Sequence, residues 1–187
     1  DTDELKYNRI KHDIIAVTLK QELLPNKSAT IHINYTLQLP SDRFTRFGID
    51  SKNNIKLKEW FIIPAKLTDK WVYYSNKDLD DLYFPNSTIN LTVTTPDSYT
   101  TISDLNLIVT KKKDSTITTE YLGKNRINTE IHITKSSNFS EVITDKFTYV
   151  SNINDEGIGD GLKAIIHDKV AFFLNAKLGD YPHEKIL

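Results

Sequence analysis

The chain has 187 residues, 39% hydrophobic and 26% charged, a balance typical of one large globular domain or of one domain plus part of the next. Its formal net charge of -1 gives no general reason to bind nucleic acid or an anionic membrane. Because cysteine is absent, a disulfide scaffold, a thiolate nucleophile and cysteine-bound zinc are excluded. No apolar run approaches the roughly 20 residues that cross a bilayer, so we expect no membrane span.

The first part of the chain predicts an antiparallel pair of strands. Residues 12–19 are rich in β-branched side chains, and apolar and polar side chains alternate over residues 30–37. Between them, residues 24–28 contain the proline, asparagine and serine that favour a turn. A third strand is predicted at residues 44–49.

Residues 55–84 break this alternation, and aromatic side chains are dense there. They include Trp60, Phe61, Trp71, Tyr73, Tyr74, Tyr83 and Phe84. Packing explains such a cluster, and the alternative is a surface whose rings stack on sugars or hold peptide side chains. We predict a long, partly ordered connection.

Regular strands return in the second half of the chain. We predict them at residues 89–94, 105–109, 116–121, 126–134 and 141–150, with hairpin turns at residues 111–114 and 123–125. Threonine and isoleucine dominate these strands, as a half-buried pleated surface favours. The series predicts a mainly β fold, either an antiparallel β-sandwich or a large curved, saddle-like sheet, with one C-terminal α-helix.

The segment after residue 157 is the one whose apolar residues recur at helical spacing. One stripe consists of Leu162, Ile165, Ile166, Val170, Phe172 and Phe173, while Lys163, Asp168, Lys169 and Asn175 turn away. Asp160 is predicted to cap the first turn, Gly179 to end the helix in a left-handed conformation, and Pro182 to prevent its continuation. The stripe predicts an amphipathic helix that needs an apolar partner.

A polar stretch at residues 151–157 predicts a domain boundary just before this helix. We assign residues 1–153 to an antiparallel β domain, and residues 154–187 to a hinge plus the first helix of a truncated downstream domain. Since the chain begins at Asp1 rather than at methionine, we also expect upstream sequence.

Short stretches resemble metal or phosphate motifs, and each departs from its pattern. His183 and Glu184 begin a His-Glu-x-x-His zinc motif, but Leu187 occupies the second histidine position. Asn152, Asn154, Glu156, Gly157 and Asp160 have calcium-loop spacing, but Lys163 replaces the bidentate glutamate at the twelfth position. In the glycine run of residues 157–161, neighbouring carboxylates would repel a phosphate. We therefore predict a hinge and a helix cap here.

Other chemistry-bearing residues favour structural interpretations. Asp78, Asp80 and Asp81 resemble the paired carboxylates of glycoside hydrolysis, but such clusters in polar loops are more often solvated turns. The histidines, at positions 12, 32, 132, 167 and 183, are scattered. The run Lys111, Lys112 and Lys113 is typical of a solvated strand edge. We assign no catalytic, cofactor-binding or metal residue in this span.

Several stretches, in order, resemble the N-terminal portion of M1-family zinc metallopeptidases, the gluzincin aminopeptidases, in their divergent bacterial form. Residues 23–28 followed by 31–40 resemble the family's hairpin into a long strand. Residues 57–65, with 70–71 and 95–96, resemble the segment in which a tryptophan and a proline precede the later strands. Residues 165–173 with 178–182 are similar to the helix and Gly-x-Tyr-Pro turn that open the catalytic domain.

The resemblance implies a non-catalytic β domain that packs on an intramolecular peptidase domain and walls its cleft, where it would contact peptide substrate. The family's zinc helix and substrate loop lie downstream of a position like Leu187, so zinc is expected in that domain and no family site residue falls on this sequence. An exported or membrane-tethered location in a bacterium is the accompanying expectation. The alternatives are an extracellular carbohydrate- or protein-binding module and, as the weakest, a hydrolase using the aspartate cluster.

Overall fold

The computed structural model describes residues 4–74, 84–135, 139–152 and 157–187. The predicted fold class is confirmed, because the structure is mainly β, with several antiparallel sheets and a helix near the C-terminus. The chain forms two compact units: Asp1–Gln38 with Ile62–Pro85, and Leu39–Phe61 with Asn86–Leu187. The predicted domain boundary at residues 153–154 lies outside the described residues and stays a prediction.

The elements follow in chain order. They are β1 (Lys6–Lys11), β2 (Ile14–Thr18), β3 (Gly48–Ile49), β4 (Ile55–Lys58), β5 (Lys66–Leu67), β6 (Trp71–Val72), β7 (Ser87–Pro96), β8 (Thr100–Ser103), β9 (Asn106–Lys113), β10 (Thr116–Arg126), β11 (Glu130–Thr134), β12 (Ser140–Ile143), β13 (Thr148–Ser151), α1 (Asp160–Leu178) and β14 (Lys185–Ile186).

In the first unit, two small antiparallel hairpins form, β1 with β2 and β5 with β6. The predicted pairing of residues 12–19 with 30–37 is wrong, because β2 pairs with β1 across a turn at residues 12–13 and residues 30–37 are exposed and not a strand. The shorter loop costs less closure entropy, and alternation alone does not provide a strand partner. The turn at residues 24–28 does form, with Lys27 N–H donating to Leu24 O at 3.1 Å.

In the second unit, ten strands form three sheets within the described residues. Their strand orders are β7-β10-β9, β3-β4-β11-β8 and β12-β13-β14. The pairs are antiparallel except for β13 with β14, which run parallel. Each sheet is small, and β10 is the central strand of the first.

The strand predictions in this unit are correct in type and less accurate in extent. Residues 44–49 contribute only Gly48–Ile49, because Arg46 has a φ of 62°, which interrupts an extended strand before Gly48. The predicted strand at residues 141–150 is instead the hairpin β12–β13, and β11 begins at Glu130 rather than at residue 126.

The two predicted hairpin turns have opposite outcomes. The hairpin predicted around residues 111–114 forms between β9 and β10, but its turn lies at residues 114–115, with Asp114 at φ 50°, and residues 111–113 belong to β9. The turn at residues 123–125 is wrong, because β10 continues through it with a bulge between Gly123 and Arg126. A Cβ on Gly123 would lie 2.5 Å from Leu105 Cδ2, so this glycine is required by close packing rather than by a turn.

The predicted helix forms as α1, but its ends differ in detail. Its N-cap is Gly159 without a side-chain cap, and Asp160 lies inside the first turn, so the predicted capping role of Asp160 is wrong. At the other end, Gly179 has φ 95° and donates its N–H to Asn175 O at 2.9 Å, as expected of a terminating glycine. Within the described residues, no helix combines the length and apolar character needed to cross a membrane.

Candidate functional site

The face of α1 that packs on the protein is small and polar. Ala171 is buried and Ala164 is partly buried against the core of Val142, Phe147 and Tyr149. Because alanine side chains are short, the helix lies close to β12 and β13. The buried side of α1 therefore does not use the predicted apolar stripe.

A hydrogen bond and a ring contact fix the helix in this orientation. The Tyr149 hydroxyl donates to Asp168 Oδ1 at 3.0 Å, and the His167 ring lies 4.6 Å from the Tyr149 ring. Burial, together with the negative charge of Asp168, raises the pKa of Tyr149 to about 12. Asp168 and Asn175 were predicted to turn away from the protein, and that prediction is wrong because both are half-buried.

The opposite face of α1 exposes large apolar side chains. We call it the apolar face; it consists of Leu162, Ile165, Ile166, Val170, Phe172 and Phe173. Phe172 is 72% exposed and Phe173 is 60% exposed. Single exposed apolar residues are common on protein surfaces, whereas a contiguous patch along one helix face is typical of an interaction site. The apolar face is therefore the candidate functional site.

A cationic group lies beside this face, since Lys177 Nζ is 6.0 Å from the centre of the Phe173 ring. A long side chain of this kind keeps its charge in water while its stem covers apolar surface. An apolar centre with a charged rim is the composition of a protein interface.

A polar depression of about 180 Å³ lies elsewhere in the second unit. Its lining residues are Asp42, Arg46, Gly48, Asp50, Asn54, Lys56, His132 and Asn152. Glu130 Oε1 is 3.0 Å from Lys56 Nζ and 2.8 Å from His132 Nε2. Burial raises the pKa of Glu130, but these two hydrogen bonds outweigh it and leave the pKa below its usual value.

The carboxylate of Asp50 in this depression has a structural role. It accepts hydrogen bonds from the N–H groups of Lys52 and Asn54, both at 2.8 Å, and from the Asn54 side chain at 2.9 Å. The bond from the Asn54 side chain is the main cause of its lowered pKa. Ion pairs and a turn cap therefore account for Asp50, Lys56 and His132 in this depression without a ligand.

The histidines do not converge on a metal site. His132 pairs with Glu130, His167 packs on Tyr149, and His183 packs edge-on against Tyr181 at 5.3 Å. Among the residues that the structure describes, no group of three or more histidine and carboxylate side chains is placed to hold a metal ion. Asn154 and Glu156 of the calcium-like loop, and the cluster Asp78, Asp80 and Asp81, lie outside the described residues.

The aromatic cluster divides into packed and exposed members. Trp60 packs edge-on against Phe61 at 5.6 Å, and its indole nitrogen is buried. Trp71, on the β5–β6 hairpin, is 59% exposed, and Tyr73 and Tyr74 are also exposed. Packing therefore accounts for Trp60, while Trp71 retains the alternative interpretation as a binding residue.

The sequence analysis predicted the residues of the apolar face from their spacing, and the structure shows them exposed on the side of α1 opposite Ala171. Tyr149, which fixes the orientation, has no signal in the sequence pattern because its contact with Asp168 joins residues 19 positions apart.

Comparisons of the chain with protein-family models, with curated proteins and with solved structures found no match.

Proposed function

We propose that this chain is a non-catalytic β domain that packs, through the apolar face of α1, on a zinc-peptidase-like domain and forms one wall of its cleft. The observation that carries the proposal is the outward orientation of the apolar face. The helix buries alanines and exposes phenylalanines and leucine to water, which is unfavourable for apolar surface. A second apolar surface that covered this face would remove that unfavourable exposure.

The energetic argument favours a large partner surface. Fully burying one leucine, isoleucine or phenylalanine side chain contributes about 1.5–3 kcal/mol. Several such side chains along α1 exceed what a small ligand would cover, and a helix packed into a groove is a common recognition mode. A folded domain is therefore the partner that best fits this face.

The chemistry of the partner rests on the resemblance of the segments around Trp60, α1 and Tyr181 to M1-family peptidases. In such an arrangement the zinc and the catalytic residues belong to the partner domain, while this chain contributes shape and an apolar contact. Peptide substrate would meet this domain as a wall of the cleft.

The proposal is tested by reading the gene downstream of Leu187 and by comparing a matched pair of variants. Sequence encoded beyond Leu187 is expected to contain a His-Glu-x-x-His helix, and its absence would refute the peptidase link. With the two domains produced separately, Phe173→Asp on the apolar face is expected to abolish their binding. Ile143→Asp is the control, because Ile143 is equally apolar and 72% exposed but lies on β12. Equal binding by both variants would refute the role of the face.

A second candidate is a carbohydrate- or protein-binding module, and the exposure of Trp71 favours it. Exposed indole rings stack on sugar faces and anchor protein interfaces. Trp71→Ala is expected to abolish glycan-array or pull-down signal if this function holds. A signal that survives Trp71→Ala would remove this candidate.

A further inference from the structure

Strand β7 lies at one edge of the sheet β7-β10-β9. Within the part of the chain that the structure describes, β7 pairs only with β10, in an antiparallel register that is unbroken from Ile89 to Pro96. An antiparallel strand turns the backbone N–H and C=O groups of successive residues to opposite sides. Every second residue between positions 88 and 94 therefore turns its backbone groups away from β10, in the direction from which another strand would bond to them.

The β7 edge, by which we mean residues 88–94, has none of the features that protect a sheet edge from pairing. Its sequence is Thr-Ile-Asn-Leu-Thr-Val-Thr, with no charged residue and no proline. The threonines and the asparagine are exposed, and the three apolar side chains are half-buried on the other face. A long, uncharged and regular edge strand of this kind is open to the addition of a further strand.

The other sheet edges of the second unit, among the described strands, are protected. On β9, the opposite edge of the same sheet, residues 111–113 are all lysine, and Ile108 forms a bulge in the pairing with β10. The remaining edge strands, β3, β8, β12 and β14, have only two to four residues. Lysines, bulges and short edge strands all discourage strand addition. A further strand is therefore favoured at β7.

We propose that the β7 edge is the interface of a two-fold homodimer, in which β7 of one copy pairs antiparallel with β7 of a second copy. A two-fold axis perpendicular to the sheet makes two identical strands antiparallel and keeps each face of the sheet continuous. With this axis at Leu91, the opposite pairs are Leu91 with Leu91, Ile89 with Val93, Asn90 with Thr92, and Thr88 with Thr94. Each apolar residue thus meets an apolar one, and each polar residue meets a polar one.

The charge and the side-chain pairing of this edge favour a second copy over an unrelated strand. Because residues 88–94 carry no charge, two copies meet without repulsion, and an acidic or basic segment finds no opposite charge there. A Thr88–Thr94 pair between copies repeats the pair already present inside the sheet, where Thr94 Oγ1 lies 2.9 Å from Thr118 Oγ1.

The dimer is also a closed assembly. The six-stranded sheet that results from pairing ends at β9 on both sides, and the lysines of β9 discourage further addition. The pairing uses neither α1 nor its apolar face, so it goes beyond the proposed function and does not depend on it.

Sedimentation velocity of the intact chain over a series of concentrations tests the dimer. The double variant Asn90→Lys with Thr92→Lys places lysines opposite lysines at two positions across the axis, so its dissociation constant is expected to rise roughly tenfold or more over that of the wild type. Asn106→Lys with Thr110→Lys is the matched control, because it adds the same charge at exposed positions of β9, and it is expected to leave the dissociation constant unchanged. A wild type that stays monomeric up to about 1 mM, or equal weakening by both double variants, would overturn the proposal.

Hydrogen exchange of the wild type locates the interface and requires no variant to fold. As the protein concentration rises, amides of alternate residues between positions 88 and 94 are expected to gain protection, while those of β9 do not change. Phe173→Asp, which tests the domain contact through the apolar face, is expected to leave the dimer intact. Loss of the dimer in Phe173→Asp, or concentration-dependent protection on β9 instead of β7, would overturn the pairing of β7.

Discussion

Gly123 shows how one residue type can be required by close packing. It lies in β10, where an added Cβ would approach Leu105 Cδ2 to 2.5 Å and Arg126 Cγ to 2.8 Å. Leu105 is completely buried, and Arg126 is held by Asp104, so neither side chain moves away without breaking other contacts. The missing side chain is what allows these two residues to pack against the strand.

Gly123→Ala is therefore expected to lower the free energy of unfolding by about 1–3 kcal/mol, the usual cost of overpacking a core. Gly161→Ala is the matched control, because a Cβ there meets nothing within 4 Å and alanine favours a helix. Urea denaturation should show a lower midpoint for the first variant and an unchanged or higher one for the second. Equal midpoints would contradict the packing argument.

Tyr149 predicts a pH dependence at the alkaline end. Its pKa of about 12 in the folded protein lies above the ordinary value of 10, so folding favours the protonated phenol. The contribution is complete below pH 10 and is lost as pH rises through 10 toward 12. Wild type should lose stability over this range more steeply than Tyr149→Phe, as measured by denaturation at successive pH values. Parallel curves would show that the Tyr149 pKa is not raised.

At the scale of elements, α1 lies where its spacing predicted it, but Asp168 and Asn175, which were predicted to turn away, face the protein. Apolar spacing located the helix to within a few residues, because the pattern depends on local geometry. The spacing does not say which face meets the protein, since Ala164 and Ala171 also recur on one side and pack closely. Orientation was decided by the contact of Tyr149 with Asp168, which no local pattern contains.

The strands follow the same division between local and non-local information. The hairpin before β10 was predictable because Asp114 favours a turn between two strands, although the turn lies at residues 114–115 rather than at 111–114. The failure at residues 30–37 is non-local, since alternation indicates a face but not a partner. The residues of the apolar face of α1 were predictable from their helical spacing, but their exposure in the folded chain was not.

Substitutions on the two faces of α1 test its orientation. Ala171→Leu is expected to cost about 1–3 kcal/mol, because Ala171 is 8% exposed against β12 and β13. Phe172→Ala is expected to change stability by no more than about 0.5 kcal/mol, because Phe172 is 72% exposed on the apolar face. Thermal unfolding of the two variants distinguishes the orientations. The reverse ranking would mean that the apolar face packs on the core.

At the scale of the molecule, two sheets of the second unit are joined by three crossings of the chain, from β7 to β8, from β8 to β9 and from β10 to β11. Two of these crossings meet: one passes from β8 through Asp104 to β9, and the other passes from β10 through residues 127–129 to β11. The crossings lie side by side, with Asp104 N–H donating to Glu130 O at 3.4 Å. The most buried side chains of the described chain, Leu105, Ile131, Thr129 and Ser103, are all found here.

Asp104 and Arg126 connect the two crossings, and a double-mutant cycle measures that connection. Asp104→Ala leaves the guanidinium of Arg126 buried without its carboxylate, so we expect a loss of about 3 kcal/mol. In the Asp104→Ala background, Arg126→Met should lower stability less than it does in the wild type. In that background the guanidinium of Arg126 has already lost its carboxylate partner, so removing it breaks no ion pair. Lys111→Ala is the control, since its ion pair with Glu120 is exposed and contributes about 0.5 kcal/mol or less. If Asp104→Ala costs no more than Lys111→Ala, the crossings are held by apolar packing alone.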